Sequence, residues 1–398
     1  MKRGTKLLYK KIFAGLLGGG MLFMPNWSYA LPSGGQVVTN NGTITAGGKV
    51  MDITGSGNVA IDWNSFNIAA DEIVNFKNMQ AVLNYVSGGS KSEIFGKLNG
   101  AGVNVFLVNP NGILFGKTAQ VNVGQLTAST RSLEKAALNS FNGSLSPLDA
   151  GGAANVKADI INLGKLKAGK LVLEGNNLSI IGSDSLEVAD KSKITLRAGE
   201  NINIGYEVTD KTTIDVGDGK GNTHQVSDYG KGGGDKASDV LSTASVTDLK
   251  GSAKSINDAM LVHDVYELQA IDRNTGTING SSYVVGNYML AGDIDAGDTK
   301  NWNSGRGFDP IGRLNRTGNG VTGSFSGAFD GICHSIQNLY IRQIGNQYDG
   351  YIGLFEGIGK GGSVGNVNIV GGHIEGISNF GSIAGLNWGT IYNIVNSA

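Results

Sequence analysis

The chain has 398 residues, a formal net charge of −1 and a single cysteine, Cys333. This length is ample for a large core or an extended solenoid, and one cysteine excludes an internal disulfide framework or a cysteine-based zinc cluster. The 64 glycines and 5 prolines, against about 28 glycines expected from average usage, indicate a structure that turns corners often between strands.

Residues 1–30 form the first element, a predicted export signal. Basic residues lie within 2–11, an apolar run covers 12–24, and 28–30 places small residues where signal peptidase reads them. The 13 apolar residues are too few for a membrane anchor, which needs about 20. We predict cleavage after Ala30, no transmembrane segment in the mature chain and a location outside the cytoplasm. Without the five basic residues of this signal, 27 basic residues face 33 acidic ones, which does not favour a nucleic-acid partner.

From residue 31 to residue 206, short apolar or β-branched runs alternate with Gly, Asn and Asp, a pattern that predicts strands and turns. Two such runs recur with an offset of 23 residues, from Leu171 to Ile194. A period of this length is typical of a solenoid, in which each coil buries its apolar face against the previous one. We predict an all-β fold, a right-handed parallel β-helix with N-terminal capping strands and one short helix. An antiparallel sandwich is the alternative.

Two elements interrupt this pattern. Segment 206–251 is rich in Asp, Lys, Gly and Ser, and it is predicted as a polar linker or insertion. Segment 252–273 is predicted as the helix, because Ser255 and Asp258 resemble a capping box. Four apolar residues follow on one helical face: Leu261, Val265, Leu268 and Ile271.

Residues 274–398 are predicted as Gly-rich solenoid repeats. The pattern Gly-x-x-x-Gly, followed by Ser or Thr, an aliphatic residue, any residue, Asn and an aliphatic residue, occurs three times. Its asparagines are Asn338, Asn366 and Asn393, at spacings of 28 and 27 residues, and we predict that they stack as an amide ladder. Because solenoid ends need polar caps and the chain stops at Ala398 without one, we expect the sequence to be a truncated part of a longer protein.

Six motifs occur in order between residues 31 and 130. They are Leu31-Pro32-x-Gly34-Gly35, Trp63-x-x-Phe66-x-Ile68, Val82-Leu83-Asn84-x-Val86, Ser92-x-Ile94-x-Gly96-x-Leu98, Phe106-Leu107-Val108-Asn109-Pro110-Asn111-Gly112-Ile113-Leu114-Phe115-Gly116 and Val123-Gly124-x-Leu126-x-Ala128-Ser129-Thr130. Their order and spacing resemble the secretion domain of filamentous haemagglutinins, the exported partners of two-partner secretion systems. The resemblance implies a secretion domain over 31–150 and a β-helix continuation over 151–205. From about Tyr288 the chain is similar to the GLUG-type repeats of large bacterial surface adhesins.

The family resemblance also implies an export route. The chain would cross the inner membrane unfolded, dock on the periplasmic domains of a dedicated outer-membrane transporter and fold as it emerges at the surface. In the family, Asn109, Pro110, Asn111 and Gly112 correspond to a motif needed for secretion. From the residues alone the motif is a type I turn, with Pro at its second, Asn at its third and Gly at its fourth position. Whether it only shapes the fold or contacts the transporter directly stays open.

Signals for catalysis are weak. Three motif fragments lack the structural context of the motifs that they resemble: Gly357-x-Gly359-x-x-Gly362, Gly361-x-Ser363-x-Gly365 and Ser132-x-x-Lys135. The four histidines are scattered, and Asp293, Asp295 and Asp298 lack the other ligands of a calcium loop. We therefore expect no enzymatic activity, no metal and no cofactor, and predict a surface adhesin of a Gram-negative bacterium with a host-cell or glycan receptor. A stalk for a C-terminal toxin or haemolysin and a β-helical polysaccharide-degrading enzyme are the alternatives.

Overall fold

The computed structural model describes residues 31–146, 153–317, 320–343, 351–377 and 379–397. Within these ranges the chain is built mainly of short strands, with three short α-helices. No helix in this part of the chain has the length and apolar character needed to cross a bilayer. The predicted cleavage site at Ala30 lies outside the described residues.

The elements follow one another in three stretches. The first contains β1 (Gln36–Val37), β2 (Gly42–Gly47), β3 (Val50–Gly55), β4 (Asn58–Trp63), β5 (Ile73–Lys77), β6 (Ala81–Val86), β7 (Ser92–Ile94), β8 (Lys97–Val108), β9 (Ile113–Phe115), β10 (Gln120–Ser129) and helix α1 (Lys135–Asn139). The second contains β11 (Ile160–Asn162), β12 (Lys165–Gly175), β13 (Leu178–Ile180), β14 (Leu186–Glu187), β15 (Ile194–Ala198), β16 (Ile202–Tyr206), β17 (Lys211–Asp215), β18 (Thr223–Ser227), helix α2 (Ala237–Val240), β19 (Ser245–Thr247), β20 (Asn257–Val262) and helix α3 (Val265–Ala270). The third contains β21 (Thr275–Ile278), β22 (Ser281–Val284), β23 (Asn287–Leu290), β24 (Ile294–Asp295), β25 (Asn315–Thr317), β26 (Gly320–Thr322), β27 (Ala328–Asp330), β28 (Ser335–Gln337), β29 (Tyr340–Gln343), β30 (Phe355–Ile358), β31 (Ser363–Gly365), β32 (Asn368–Val370), β33 (His373–Gly376), β34 (Ala384–Asn387), β35 (Thr390–Tyr392) and β36 (Val395–Ser397).

The solenoid begins with an antiparallel cap. Strand β1 pairs antiparallel with β4, and β2 and β3 form an antiparallel hairpin. Strand β3 then pairs in parallel with β5, which starts the coils. The hairpin shields the first coil, because Met51 and Ile53 on β3 are buried in the core. The predicted capping strands are confirmed.

Two long parallel sheets form the body of the solenoid. We call β4-β6-β8-β10-β12-β15-β19 the first sheet and β7-β9-β11-β13-β16-β20-β23-β27-β31-β35 the second sheet, each in its order of pairing. Leu171 lies directly opposite Ile194 in the first sheet, so the offset of 23 residues is one coil. Inward side chains such as Leu173, Leu178 and Ile204 are fully buried between the sheets. The prediction of an all-β parallel β-helix is confirmed.

The predicted helix over 252–273 is wrong in its first half. Residues Asn257–Val262 are strand β20 of the second sheet, and the Asp258 carboxylate accepts hydrogen bonds from the amide and hydroxyl of Ser238 instead of capping a helix. The helix begins after Asp264, whose side chain accepts hydrogen bonds from the backbone amides of Tyr266 and Glu267. It ends at Ala270, where a 3-10 turn follows. The apolar residues of β20 are buried on both faces of the strand, so their spacing also matches the apolar face of a helix.

Segment 206–251 contains more structure than the sequence predicts. It forms the antiparallel hairpin β17–β18, helix α2 and strand β19. Because β19 pairs in parallel with β15, this segment returns to the first sheet and completes a coil. It is therefore an insertion that ends within the solenoid.

The predicted ladder of three asparagines is corrected to a pair. Asn393 donates from Nδ2 to Asn366 Oδ1 at 3.1 Å, one coil above it. Asn338 follows β28, which pairs with β32 in a separate four-stranded sheet, and its Nδ2 donates to Asp295 Oδ1 at 3.0 Å. The strand that stacks on β31 in the coil below is β27. In the repeat that begins at residue 327 the strand of the motif is therefore β28, which lies outside the second sheet, whereas the corresponding strands of the other two repeats, β31 and β35, lie within it.

The second sheet curls so far that distant strands meet on its outer face. Ser179 on β13 donates to Asp330 Oδ2 on β27 at 2.7 Å, although four strand spacings of a flat sheet would separate them by about 19 Å. Next to this contact, Ile332 is fully buried against outward side chains of the same sheet. We call this set the outer cluster: Ala259, Leu261, Met289 and Ile332, with Ile161, Leu163, Ile181 and Ala291 packed around them.

Candidate functional site

The motif at residues 109–112 forms the corner between β8 in the first sheet and β9 in the second. The Asn109 carbonyl accepts a hydrogen bond from the Gly112 amide at 3.1 Å and closes a β-turn over Pro110 and Asn111, in agreement with the turn position that the sequence predicts. Gly112 has a φ of +110°, a conformation that only glycine adopts without strain. The corner is therefore a built part of the coil.

Asn109 is the buried anchor of this corner, with no exposed surface. Its Nδ2 donates to the Ser90 carbonyl and to Ser92 Oγ, each at 3.0 Å, and its Oδ1 accepts from the Asn111 amide at 2.9 Å. Its own amide donates to the Ser129 carbonyl of the following coil at 3.0 Å. One side chain thus connects the preceding coil, the turn and the following coil.

Asn111 is the exposed member of the motif, with Pro110 half-buried beside it. Its Nδ2 donates to the Gly88 carbonyl at 2.7 Å, so its position is fixed although it faces solvent. Any direct contact with another protein would therefore use Pro110 and Asn111, whereas Asn109 and Gly112 lie inside.

A buried ion pair supports the next coil, directly behind the corner. Arg131 donates from Nε and Nη2 to the two oxygens of Glu174, each at 2.7 Å, and Ser129 Oγ donates to Glu174 Oε1 at 2.6 Å. The Glu174 side chain is 1% exposed and that of Arg131 is 9% exposed. A bidentate pair of this kind stabilises the site only while both partners are present. Sequence reasoning missed this pair, whose one visible signal is a glutamate within the apolar run of β12.

An open groove of about 900 Å³ lies beside Asn111, between early and late strands of the second sheet. Its walls carry both charges and amides, namely Lys91, Glu93, Asn111, Asp159, Asn366 and Asn393. The thiol of Cys333 also lines it, and burial around that thiol raises its pKa. A raised pKa favours the protonated thiol over the nucleophilic thiolate.

A second polar cluster joins the β17–β18 hairpin to helix α3. Buried Glu267 accepts from Ser227 Oγ at 2.7 Å and from the amide of His263 at 2.9 Å, and its Oε2 lies 2.8 Å from His263 Nδ1. Burial alone would raise the pKa of Glu267, but the hydrogen bonds from His263 and Ser227 lower it to about 2. The same hydrogen bond to Glu267 raises the pKa of His263.

Of the three aspartates that the sequence offers as a weak calcium candidate, the structure separates Asp293 from Asp295 and Asp298. Asp293 accepts from the amide of Ser335 at 2.8 Å and lies 3.3 Å from His334 Nδ1, whose hydrogen bond lowers the pKa of Asp293. Asp295 and Asp298 line a different cleft. Across the described ranges, no group of three or more His, Cys, Asp or Glu residues is placed to hold a metal ion.

The remaining motif fragments lie in surroundings unlike those of the motifs that they resemble. The glycines at 357–362 lie in β30 and the turn that leads to β31, a strand–turn–strand unit with no helix after it. Ser363 belongs to β31, and Lys135 opens the short helix α1. These fragments are parts of coils and turns.

An antiparallel cap, stacked parallel coils and a hydrogen-bonded corner together define a capped β-solenoid. The model of the TPS secretion domain matches residues 28–295, and the chain therefore belongs to this family of two-partner secretion exoproteins. The resemblance seen in the motifs of residues 31–130 is confirmed at this level. The match runs across residue 150, and the finer division of the chain into domains stays a prediction.

Three known proteins are similar to this chain. The chain is 27% identical over 282 residues to halomucin of Haloquadratum walsbyi, covering 70% of this chain and 3% of that protein. It is 33% identical over 177 residues to the heme/hemopexin-binding protein of Haemophilus influenzae, covering 43% and 19%. The crystal structure of the HMW1 secretion domain from Haemophilus influenzae aligns over 91% of this chain and 99% of its own, with 15% identity and a TM-score of 0.30. The chain thus spans a small part of the length of these two curated relatives.

Proposed function

We propose that this protein is a surface adhesin that leaves the cell through a dedicated outer-membrane transporter. The observation that carries this proposal is the family match over residues 28–295, which includes the cap, the corner and the first coils. Parallel coils support a route in which the chain folds outside the cell, because each new strand finds its partner in the coil before it. Signal peptidase would first release the chain at Ala30.

The transporter is tested by deleting its co-encoded gene. We expect the protein to accumulate in the periplasm, where it cofractionates with a periplasmic marker, and secretion to return when the transporter is supplied in trans. An unrelated secreted protein that uses another route serves as the control. Surface display that persists without the transporter would overturn the proposed route.

For the corner at residues 109–112 we propose that it shapes the coil on which transport depends. The burial of Asn109 and its hydrogen bonds to the Ser90 carbonyl and to Ser92 Oγ support this role, since they hold the turn against the preceding coil. Asn109→Ala is expected to lower both secretion and the thermal unfolding temperature of the chain. Asn111→Ala removes the exposed amide, and we expect secretion to stay within about twofold of the wild type, since an exposed substitution has a small effect on the fold.

The opposite pattern favours direct contact with the transporter. If Asn111→Ala abolishes secretion without changing the unfolding temperature, the exposed amide is a recognition element and the fold-shaping role is wrong. Both variants are compared at equal periplasmic levels, so that degradation does not imitate a transport defect.

The proposed adhesin role rests on the predicted GLUG-type repeats after Tyr288 and on the expectation that the protein is not an enzyme. It is tested by measuring the attachment of the purified chain to epithelial cells, with a cell line deficient in surface glycans as the comparison. Lack of attachment to any cell line, with secretion intact, would contradict the adhesin role and favour a carrier stalk for a toxin. The alignment with the heme/hemopexin-binding protein covers only 19% of that protein. It therefore supports a shared export route, and says nothing about a shared ligand.

A further inference from the structure

A cleft of about 520 Å³ opens on the outer face of the C-terminal coils. It is lined by Asp295, Asp298, Lys300, Asn338, Tyr340 and His373. These residues come from four neighbouring segments: the end of β24, the 3-10 turn after it, the corner after β28 and the paired strands β29 and β33. The cleft is remote in sequence from the corner at residues 109–112.

The polar wall of the cleft is held in place before any ligand binds. Asp295 Oδ1 accepts from the Gly297 amide and from Asn338 Nδ2, each at 3.0 Å, and these hydrogen bonds lower the pKa of Asp295. The Tyr340 amide donates to Thr299 Oγ1 at 2.9 Å, which ties the aromatic strand to the turn that carries Asp298. A site fixed in this way loses little conformational freedom on binding.

The opposite wall is aromatic. The rings of Tyr340 and His373 are stacked with centroids 5.2 Å apart and planes 25° apart. Tyr340 is half-buried and His373 exposed, so the pair forms a small platform at the surface. A tyrosine offers an apolar face with a polar edge, which suits a ligand that is itself apolar on one face and polar on its rim.

Two charged side chains of the cleft lie at the protein surface. Asp298 and Lys300 are exposed, and within the described part of the chain neither side chain has a hydrogen bond or an ion pair. Carboxylates accept hydrogen bonds only, whereas ammonium groups donate only. The cleft therefore offers acceptors and a donor within one concave surface beside an aromatic platform.

We propose that this cleft binds a neutral sugar unit of a glycan. A pyranose ring has an apolar C–H face that packs against the stacked pair of Tyr340 and His373, and its hydroxyls both donate and accept, as the carboxylates and Lys300 require. Two carboxylates against one ammonium make the cleft net negative, which disfavours sialylated or sulfated sugars. The inference deepens the proposed adhesin function and rests on it for biological meaning, although sugar binding itself is measured separately.

The test uses the full mature chain on immobilised neutral glycans that end in galactose, mannose or N-acetylglucosamine, beside sialylated and sulfated counterparts, in buffer with EDTA. We expect binding to neutral glycans only. Titration calorimetry with the best neutral oligosaccharide should show at least about tenfold weaker binding for Tyr340→Ala and for Asp298→Asn. Tyr340→Phe keeps the ring and should retain most of the affinity.

Trp388→Ala is the matched control, because Trp388 is a 49% exposed aromatic side chain that does not line the cleft. Loss of binding in this variant but not in Tyr340→Ala, preferred binding of sialylated glycans, or no binding to any glycan would each overturn the proposal. Attachment to cells that is unchanged in Tyr340→Ala would leave the adhesin role intact and remove the cleft from it. Glycan binding without attachment to cells would support the cleft as a sugar site and contradict the adhesin role.

Discussion

The two halves of the solenoid keep their coils in register by different means. Between β6 and β16 the strands include three of 10 to 12 residues, β8, β10 and β12, paired along nearly their whole length. From β27 to β36 every strand has only three or four residues. We call these the long-strand coils and the short-strand coils. In a long ladder the alternation of buried and exposed residues extends over many positions and fixes the register, whereas a short ladder needs further contacts from side chains.

The short-strand coils obtain that help from aromatic rings inside and asparagine corners outside. Their core contains Trp302, Phe308, Phe325, Phe329 and Phe355, all at most 1% exposed, while the long-strand coils are filled mainly by Val, Leu and Ile. Among the described residues, six asparagines after residue 270 adopt positive φ, against two before it: Asn279, Asn303, Asn338, Asn366, Asn379 and Asn393. Large rings fill the space that short, glycine-rich strands leave, and each corner needs a residue that tolerates this conformation.

The largest expected effect comes from the aromatic core. Phe355 is fully buried, with ring centroids 4.8 Å from Phe325 and 5.7 Å from Phe329, so Phe355→Ala should cost about 4 kcal/mol of unfolding free energy. Because each coil contacts mainly its neighbours, hydrogen exchange should show lost protection in the short-strand coils only. Phe380→Ala, at a 61% exposed position, is the control with little effect. Equal loss of protection in the long-strand coils would contradict this independence.

The next effect tests the long-strand coils through their buried ion pair. Glu174→Ala leaves the Arg131 guanidinium buried without its partner and should cost about 3 kcal/mol in urea unfolding. Glu187→Ala, which removes an exposed partner 3.6 Å from Lys165, should cost less than about 1 kcal/mol. An apolar double variant, Arg131→Met with Glu174→Leu, should recover part of the loss. No recovery would show that the hydrogen bonds to Ser129 and Ser146 matter more than the pairing of charges.

The third effect concerns the junction between the two regions and depends on pH. The pKa of Glu267 is lowered to about 2 from 4.5, so its contribution is complete above pH 4.5 and is lost as the pH falls from there through about 2. The pKa of His263 is raised from 6.5, so its contribution is complete below pH 6.5 and is lost as the pH rises through the higher folded value. Denaturant unfolding at stepped pH should show both losses, on the order of 2 kcal/mol on the acid side.

Glu267→Gln is the variant that checks this assignment. It should flatten the acid dependence and lower the stability at neutral pH, because a neutral amide accepts more weakly from His263 and Ser227. An unchanged acid limb in this variant would place the titrating group elsewhere.

The smallest expected effect compares two amide pairs at opposite ends of the strands of the second sheet: Asn366 and Asn393 follow β31 and β35, whereas Asn177 and Asn201 precede β13 and β16. Asn393 has a φ of +50° and donates to Asn366, whereas Asn201 makes the corresponding bond to Asn177 Oδ1 at 3.2 Å without a positive φ. Asn393→Ala should cost about 1 kcal/mol and Asn393→Gly less, since glycine accepts that backbone. At Asn201 glycine should be no better than alanine. Thermal unfolding of the four variants distinguishes the two corners, and a benefit of glycine at both would show that backbone strain is not what separates them.

The features that depend on local residue patterns could be predicted from the sequence. The coil period follows from Leu171 and Ile194, and the turn at residues 109–112 from its own residue types. Failures occurred where distant residues decide. The apolar stripe of residues 261–271 combined a strand with a helix, because the outer face of β20 is covered by Ile332, 71 positions after Leu261. The partners of Asn338 and Glu174 lie in other coils, at spacings that no single-sequence period indicates.

The contact between Ser179 and Asp330 also has a consequence in time. The two residues are 151 positions apart, so along the proposed export route the coils around β11 and β13 would be complete long before Asp330 and Ile332 emerge. Until then Ile161, Ile181 and Leu261 face water as an apolar patch on the outer side of the second sheet. Closure over that patch is a late, long-range event, slower than the stacking of one coil on the next. On the proposed route, the interval between these two events is when the emerging chain would be most open to proteases and to aggregation.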